Sequence, residues 1–283
     1  MANQCLEFLL AVFGFIINFF QVVHICMNKR KTLFQIFLMS LSMADLLTCI
    51  FSFLSTWFYH HIRTGHHFNS SSQYAVLRKY IEYGYAVSIF LSAAHICLIA
   101  GDRYLTVSRP LKHKLLYKYR LRVCHIIIWI VVPLLVSFLV YCERLFFKSN
   151  AHLYLLNFSF VVFFIITSLI CIFVYASITS TLKQQTTQNC WRDNRRIHRI
   201  KRIYILCFMT TVVFIGCTIP PCIGRLTGCR DIRQFNPFLT LNAGLNSFIY
   251  FFYAKLTDAC TCCTFDDNKK SINNDIDTIK IEK

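Results

Sequence analysis

Long apolar runs constrain this chain more than any other feature of its sequence. An apolar helix needs about 20 residues to span the hydrocarbon core of a bilayer, and the sequence holds a series of runs of that size. Every backbone polar group in lipid needs a partner within the segment, so runs this long form helices. The runs are Cys5–Met27, Leu33–Tyr59, Tyr80–Tyr104, Val123–Tyr141, Leu153–Leu182, Ile203–Leu226 and Phe235–Tyr253. The sequence therefore predicts an all-α bundle of seven transmembrane helices.

The composition agrees with a membrane protein and argues against two other classes. Hydrophobic residues make up 56% of the chain and the mean hydropathy is +0.50, above the range of soluble domains. The net charge of +17 sits mostly in short segments between apolar runs, which favours membrane orientation over nucleic-acid binding. Many of the 15 cysteines lie inside apolar runs, where Cys acts as a small hydrophobe rather than as part of a disulfide scaffold.

The distribution of basic residues predicts the orientation of the helices. Segments that carry more Lys and Arg face the cytoplasm. One set of connecting segments carries Lys29, Arg30, Lys31, Arg109, Lys112, Lys114, Lys118, Arg120, Arg122, Lys183, Arg192, Arg195, Arg196, Arg199, Lys201 and Arg202, whereas the opposite set carries Arg63, Arg78, Lys79, Arg144, Lys148, Arg225, Arg230 and Arg233. We therefore expect an extracellular amino terminus and a cytoplasmic carboxyl tail, with Asn69 in the first outer segment as a glycosylation acceptor.

Charged side chains at membrane depth are costly, and two sites of this kind stand out. Asp45 falls in the middle of the second run, and Asn18, Ser92, Asn242 and Asn246 in other runs are polar residues at comparable depth. Unrelated interhelical polar contacts are the alternative explanation. Asp102 and Arg103 are neighbours near the end of the third run. An Arg that its neighbour holds can be released, which makes a switch; solvated charges at a helix end are the alternative.

The order and spacing of these residues resemble the rhodopsin-like (class A) G-protein-coupled receptors. The resemblance covers nearly the whole chain. It rests on Asn18, the Ala-Asp-Leu-Leu around Asp45, Asp102-Arg103-Tyr104, Trp129, Phe214 with Cys217-Thr218-Ile219-Pro220, and Asn246-Ser247-Phe248-Ile249-Tyr250. It implies a multi-pass receptor of the plasma membrane, not an enzyme, that signals to heterotrimeric G proteins, with arrestin as a further partner.

The resemblance implies roles for individual residues. Arg103, freed from Asp102 and followed by Tyr104, would contact the G protein, while Tyr175 and Tyr250 would swing inward. Phe214 and Pro220 would belong to the hinge of helix 6, although an inert kink is the alternative for Pro220. Asp45, Ser92, Asn242 and Asn246 match the family's sodium pocket, with Asn18 steadying the carboxylate. A sodium ion is thus the expected allosteric modulator, and no other cofactor is expected.

The sequence also departs from the family's pattern. Ser247 stands where the family usually has Pro, Thr218 where it has Trp, and Thr167 near its usual helix 5 proline. Arg78 stands where the family usually has a Cys, so the customary disulfide is absent. The loss of this disulfide and of the helix 5 proline resembles the melanocortin, cannabinoid, lysophospholipid and adenosine branch. Any bridge among Cys142, Cys222 and Cys229 stays open. No acid lies near Ile200 to restrain Arg103. This missing restraint, together with Thr218 and Ser247 at two switch positions, predicts substantial ligand-free activity.

The ligand is the least determined part of the prediction. Tyr85 stands where amine receptors carry their anchoring Asp, which argues against an amine ligand. Thr240 stands where retinal pigments carry their Lys, which excludes a retinal pigment. The candidate pocket residues are Glu82, Tyr85, Ser88, Ile89, Cys222, Arg225, Asn236 and Thr240, although several of them could simply pack. The basic outer segments favour an anionic ligand, such as a lipid acid or an acidic peptide, with solvated loop charges as the alternative. A small molecule, a lipid or a peptide thus remains open.

The chain beyond the seventh run has two predicted parts. By resemblance, a short amphipathic helix lies on the membrane after helix 7, and the juxtamembrane Cys260, Cys262 and Cys263 are candidates for palmitoylation. This gives a receptor domain over residues 1–263 and a polar, disordered cytoplasmic tail over residues 264–283. A seven-helix transporter or membrane hydrolase is the competing interpretation, but the sequence has neither internal repeats nor clustered intramembrane His and Asp.

Overall fold

The computed structural model is a bundle of seven helices, within the residues that it describes: 2–28, 32–63, 72–109, 118–146, 152–188, 194–227 and 232–251. The helices are α1 (Ala2–Met27), α2 (Leu33–Arg63), α3 (Ser72–Ser108), α4 (Lys118–Phe146), α5 (His152–Gln188) and α6 (Asn194–Leu226). A 3₁₀ turn, Ile232–Phe235, then leads into α7 at residues 236–251. The predicted all-α fold is confirmed.

The helices extend beyond the apolar runs that predicted them. Arg78 and Lys79 were expected in an outer connecting segment, yet they belong to α3, which begins at Ser72. Likewise Lys118, Arg120 and Arg122 belong to α4. Hydropathy marks where a helix leaves the lipid, whereas the backbone hydrogen bonds continue as long as the next residue tolerates helical geometry. The predicted boundaries were therefore too short at several ends.

Six of the described helices are long and apolar enough to cross a membrane, which makes this a multi-pass membrane protein. The described part of α7, residues 236–251, is shorter than the length of about 20 residues that spans a bilayer. Prolines lie inside two of the spans, at Pro133 in α4 and at Pro220 and Pro221 in α6. Such prolines are tolerated in membrane helices because neighbouring groups satisfy the freed carbonyls. Beside the proline of α4, the Tyr83 hydroxyl of α3 and the Ser137 hydroxyl both donate to the Pro133 carbonyl, at 3.2 Å and 2.7 Å.

Helix α3 is the centre of the bundle and contacts α2, α4, α5 and α6. Its apolar inner residues, including Phe90 and Ile99, are almost fully buried. Helix α4 lies at the periphery and exposes Ile126, Ile130, Leu134 and Phe138. An apolar face of this kind suits lipid chains as well as protein. The buried polar side chains consequently face the interior, where α1, α2, α3, α6 and α7 meet.

Helices α1 and α7 approach each other closely at two glycines. A Cβ atom on Gly14 would lie 3.4 Å from the Gly244 Cα atom and 2.7 Å from the Cys49 Sγ atom of α2. Small residues at such crossings let backbones come near enough for van der Waals packing, which is a main source of helix association in lipid. This crossing brings the polar residues of α7 against those of α1 and α2.

Candidate functional site

The polar residues inside the bundle form three groups: one near the end of α3, one at mid-depth around Asp45, and one near the start of α1. We call them the Arg103 cluster, the Asp45 cluster and the Glu7 cluster. Each combines side chains from helices that are distant in sequence.

The Arg103 cluster contains the predicted acid–base pair. The Arg103 Nη2 atom donates to the Asp102 Oδ2 atom at 2.5 Å, and the two side chains are 12% and 1% exposed. The guanidinium carbon of Arg103 also lies 4.2 Å from the centroid of the Phe34 ring on α2. Burial of both partners makes their separation costly unless another group replaces the contact. The Arg103 guanidinium is thus held in one position, and its release would break the contact with Asp102.

Two buried tyrosines connect this cluster to α6. The Tyr250 hydroxyl of α7 lies 3.3 Å from the Thr210 hydroxyl oxygen and 4.0 Å from the Cys207 Sγ atom. The Tyr175 ring of α5 packs at 5.9 Å from Tyr204 and 6.1 Å from Phe208. Both tyrosines are 3% exposed. Any displacement of this part of α6 would therefore change the contacts of both rings.

The Asp45 cluster brings together the predicted cation-binding residues. The Ser92 hydroxyl donates to Asp45 Oδ1 at 2.6 Å, and the Asn246 amide donates to Asp45 Oδ2 at 3.2 Å. The Oδ1 atoms of Asn242 and Asn246 are buried without a hydrogen-bond partner. A small cavity, of the size that one water molecule or ion needs, is lined by Asp45, Ser92, Asn242, Thr48 and Thr218 among others.

Asn18 has a different role from the predicted one. We expected it to steady the Asp45 carboxylate, but its amide donates to the Gly14 carbonyl at 2.8 Å and to the Ala243 carbonyl at 3.0 Å. Its oxygen accepts a hydrogen bond from Ser247. Because α1 and α7 approach closely, backbone carbonyls lie within reach of the Asn18 amide and take the place of Asp45 as its acceptors. Ser247, which departs from the family's pattern, thereby joins α7 to α1 through a hydroxyl that proline lacks.

The Glu7 cluster contains an acid that the sequence analysis did not identify. Glu7 is 7% exposed on α1, and its Oε1 atom accepts a hydrogen bond from the Ser52 hydroxyl of α2 at 2.9 Å. The Ser52 oxygen lies 2.9 Å from the Thr240 hydroxyl oxygen of α7. The Tyr85 hydroxyl of α3 lies 3.5 Å from the same Thr240 oxygen. A carboxylate inside the first apolar run was the available signal, by the argument already applied to Asp45.

Arg225 lies near the same end of the bundle as Glu7. Its guanidinium carbon lies 3.8 Å from the centroid of the Phe160 ring of α5, and its Nη1 atom donates to the Pro221 carbonyl at 3.2 Å. Its Nε atom is buried and lacks a hydrogen-bond partner. Within the described residues, no carboxylate pairs with Arg225. The guanidinium is thus half-buried one residue before the end of α6, with no counter-anion among the described residues.

The remaining predicted pocket residues divide into two groups. Ser88, Ile89, Cys222, Asn236 and Thr240 lie inside the bundle at various depths, and Ile89 reaches the cavity of the Asp45 cluster. Glu82 does not join them: it is exposed and forms a salt bridge with Arg78 at 2.9 Å. Residues four apart share one face of a helix, and this face is not the buried one of Ile81, Tyr85 and Ser88. In this structure the Glu82 side chain thus does not join the other predicted pocket residues, and its ligand-binding role stays a prediction.

The predicted hinge residues lie on α6 within the core. Phe214 is 1% exposed and packs on Phe164 of α5, with ring centroids 5.7 Å apart. Thr218, which stands in place of a Trp, donates to the Phe214 carbonyl at 2.8 Å and lines the small cavity. Pro220 follows Thr218 two residues further along the helix. Tyr104 is half-buried beside the core of the bundle.

Several predicted features lie outside the residues that the structure describes. They are the predicted membrane-surface helix, the tail, and Asn69, Cys229, Cys260, Cys262 and Cys263. Cys142 and Cys222 are free thiols. Among the described residues, no group of three or more His, Cys, Asp or Glu is arranged to hold a metal ion, so a hydrolase of the clustered-metal kind gains no support.

Comparison with known proteins agrees with this arrangement. The model of the 7 transmembrane receptor (rhodopsin family) matches residues 17–254. G-protein coupled receptor 52 of Mus musculus is 34% identical over 97 residues, and that of Bos taurus is 33% identical over 97 residues; in both cases 33% of this chain is aligned. The alignment spans 25% of each relative's length. With the family match extending over most of the sequence, this chain belongs to the rhodopsin family of seven-transmembrane receptors.

Proposed function

We propose that this protein is a receptor that transmits an extracellular ligand signal to heterotrimeric G proteins. The observation that carries the proposal is the buried Asp102–Arg103 pair near the end of α3, in contact with a ring of α2. A guanidinium offers five donors in a rigid fork and suits carbonyl-rich helix ends of a protein partner. Family membership and the G-protein coupled relatives support the same conclusion.

The mechanism follows from the contacts around α6. In the described conformation, Tyr250 contacts Thr210, and Tyr175 packs against Tyr204 and Phe208. An outward swing of this part of α6 about Pro220 would remove these contacts and open the space beside Arg103. A ligand shifts the equilibrium only as far as it binds the open form more tightly than the closed one. Arg103 would then exchange Asp102 for acceptors on the G protein.

Replacement of Arg103 tests the proposal. The full-length chain is expressed in cells, and nucleotide exchange by a panel of G proteins is measured in membranes at matched surface amounts. We expect Arg103→Ala to remove exchange above background at matched surface amounts. Its thermal stability should also fall, because Asp102 is left buried without its cation. Arg78→Ala, which removes an exposed arginine from the opposite end of α3, is the control. Undiminished exchange by Arg103→Ala would contradict the proposal.

We further propose that the ligand carries an acidic group that binds Arg225. The unpaired guanidinium stacks on Phe160 and has a buried Nε donor without an acceptor. A carboxylate or phosphate would supply both the missing charge and the missing acceptor. The hydroxyls of Tyr85 and Thr240 offer polar contacts for the rest of the ligand. A lipid acid, an acidic small molecule and an acidic peptide all have this chemistry.

A sodium ion fits the Asp45 cluster. Two orphaned oxygens, Asn242 Oδ1 and Asn246 Oδ1, are buried beside the Asp45 carboxylate and the Ser92 hydroxyl. Such a set of hard oxygen donors suits a small hard cation and not a soft metal. When bound, sodium would neutralise the carboxylate charge. We propose that these four residues hold it and that occupancy favours the closed form.

Several further properties are proposals that rest on the sequence. The asymmetry of basic residues supports an extracellular amino terminus and a cytoplasmic tail in the plasma membrane. Glycosylation of Asn69 and palmitoylation of Cys260, Cys262 and Cys263 would agree with that orientation. Arrestin is proposed as a second partner of the open form. The function is signalling rather than catalysis, and no contact within the described residues favours a transporter.

A further inference from the structure

Phe34 touches both of the residues proposed as switches in the Arg103 cluster. Its ring centroid lies 4.2 Å from the Arg103 guanidinium carbon and 6.0 Å from the centroid of the Tyr250 ring, at an interplanar angle of 66°. Tyr250 in turn contacts Thr210 of α6. One side chain on α2 therefore connects α3 with α7 and, through Tyr250, with α6.

The start of α2 holds Phe34 in a fixed place. The Gln35 Oε1 atom accepts a hydrogen bond from the Thr32 backbone N–H at 2.9 Å, and the Gln35 backbone N–H donates to the Thr32 hydroxyl oxygen at 3.3 Å. This reciprocal pair is a capping box, which defines the first turn of a helix. Phe34 lies within that turn. Its ring is thus presented from a defined helix end and not from a loop.

Arg103 needs such a contact because its other restraint is missing. Residues 194–206 of α6 contain no acid that could pair with it. The guanidinium is 12% exposed, and its Nε atom is buried without a hydrogen-bond partner. An aromatic face attracts a guanidinium through its quadrupole, and more strongly when water is excluded. Phe34 is placed to supply part of the stabilisation that a carboxylate on α6 would give.

We propose that Phe34 is a positioning residue that latches the closed conformation by a cation–π contact with Arg103 and an edge contact with Tyr250. This inference rests on the proposed coupling function. Both partners must leave the ring when Arg103 turns to the G protein and Tyr250 moves inward. A contact of this kind shifts a two-state population by about two- to thirtyfold. Loss of the ring should therefore raise ligand-free activity.

Two substitutions separate the ring from its bulk. Phe34→Leu keeps an apolar side chain but removes the π face, whereas Phe34→Tyr keeps the face. In the membrane nucleotide-exchange measurement, without added ligand and at matched surface amounts, Phe34→Leu should raise the basal rate by about three- to tenfold. Phe34→Tyr should stay near the parent. Phe53→Leu is the matched control, because Phe53 lies on the same helix and its ring packs on Phe8 at 5.1 Å.

A second measurement does not depend on any G protein. Thermal unfolding of the purified full chain is compared for the parent, Phe34→Leu, Arg103→Gln and the double variant. If the ring and the guanidinium interact, Phe34→Leu should lower Tm by about 2–4 °C in the parent and by less in the Arg103→Gln background. Equal losses in both backgrounds would show that the two side chains are not coupled, and would overturn the proposal.

The two measurements distinguish failure of the latch from failure of the receptor function. Coupling in the Tm cycle with an unchanged basal rate of Phe34→Leu overturns the latch, provided that Arg103→Ala abolishes a measurable exchange. Coupling in the Tm cycle with no exchange in any variant rejects the proposed G-protein function, and the latch with it. A raised rate in both Phe34→Leu and Phe34→Tyr would assign the effect to packing and would also overturn it.

Discussion

Charged side chains inside the bundle differ in their partners. Arg103 has the Asp102 carboxylate, whereas Asp45 and Glu7 have neutral hydrogen-bond donors. Among the described residues, the contacts of the Arg225 guanidinium are the Phe160 ring and the Pro221 carbonyl. Desolvation of a charge is repaid only by good hydrogen bonds or an opposite charge. Arg225 is therefore the residue at which an anionic ligand would gain most.

We predict that fatty acids stabilise the protein by binding to Arg225. Medium- and long-chain fatty acids are compared with the primary amides of the same chains by thermal unfolding of the purified protein. The acids should raise Tm more than the amides, and Arg225→Gln should remove the difference, because it removes the charge that pairs with the acid. Arg225→Gln should also raise Tm without ligand, since an unpaired charge disappears.

Arg78→Gln is the control for this prediction. It removes a charge of the same kind from an exposed salt bridge with Glu82. Exposed pairs contribute about 0–1 kcal/mol, so the difference between acids and amides should persist in this variant. Equal effects of the fatty acids and their amides on the parent would contradict a lipid acid as the ligand of Arg225.

Packing between helices decides which polar groups meet. The crossing of α1 and α7 at Gly14 and Gly244 brings Asn18 to the Ala243 carbonyl and to Ser247. Without this close approach, Asn18 would have to find other partners in lipid. The glycines are needed here because a side chain would fill the gap between the backbones. The crossing is thus a structural condition for the arrangement of α7.

We predict that Gly14→Leu separates α1 from α7. A Cβ atom at Gly14 would already lie 2.7 Å from Cys49 Sγ, which can rotate, but a branched side chain would also meet the Gly244 backbone. Overpacking of this kind costs about 1–3 kcal/mol, and Tm should fall accordingly. Gly216→Leu is the matched control, since a Cβ at Gly216 meets nothing within 4 Å. A Tm of Gly14→Leu equal to that of the control would contradict the role of the crossing.

The molecule as a whole is described in a closed arrangement. The Arg103 pair, the Phe34 contact and the contacts of Tyr250 and Tyr175 with α6 all hold the same end together. The missing acid on α6, together with Thr218 and Ser247 at two switch positions, predicts substantial activity without ligand. The proposed contact of Phe34 with Arg103 is a restraint that the sequence does not reveal. We therefore expect lower ligand-free activity in the parent and higher ligand-free activity in Phe34→Leu.

We predict that sodium stabilises this closed arrangement through Asp45. Tm is measured as sodium replaces a large organic cation at constant ionic strength. A ligand at 100 times its Kd stabilises the state that binds it by about 2.7 kcal/mol, so Tm of the parent should rise with sodium. Asp45→Asn removes the charge and should abolish the rise, whereas Glu82→Gln, which alters an exposed carboxylate, should keep it. A sodium response in Asp45→Asn equal to that of the parent would reject the site.

The sequence alone determined that the chain forms seven membrane helices, because length and hydropathy suffice when the solvent is lipid. The order of Asp45, Asp102-Arg103 and Asn246 further indicated the family. Sequence reasoning also placed Ser92 and Asn246 with Asp45, and the structure brings these three together. Helix ends, in contrast, were underestimated, since hydropathy does not report where a helix stops.

Only the tertiary structure decided which side chains meet across helices. Asn18 bonds Ser247 and not Asp45, Glu82 faces outward, Glu7 is buried, and Phe34 lies against Arg103. Each outcome depends on the rotation of a helix about its axis and on the distance to its neighbour. These are set by packing of small and large residues, such as Gly14 against Gly244, and a linear pattern of hydropathy carries little information about them.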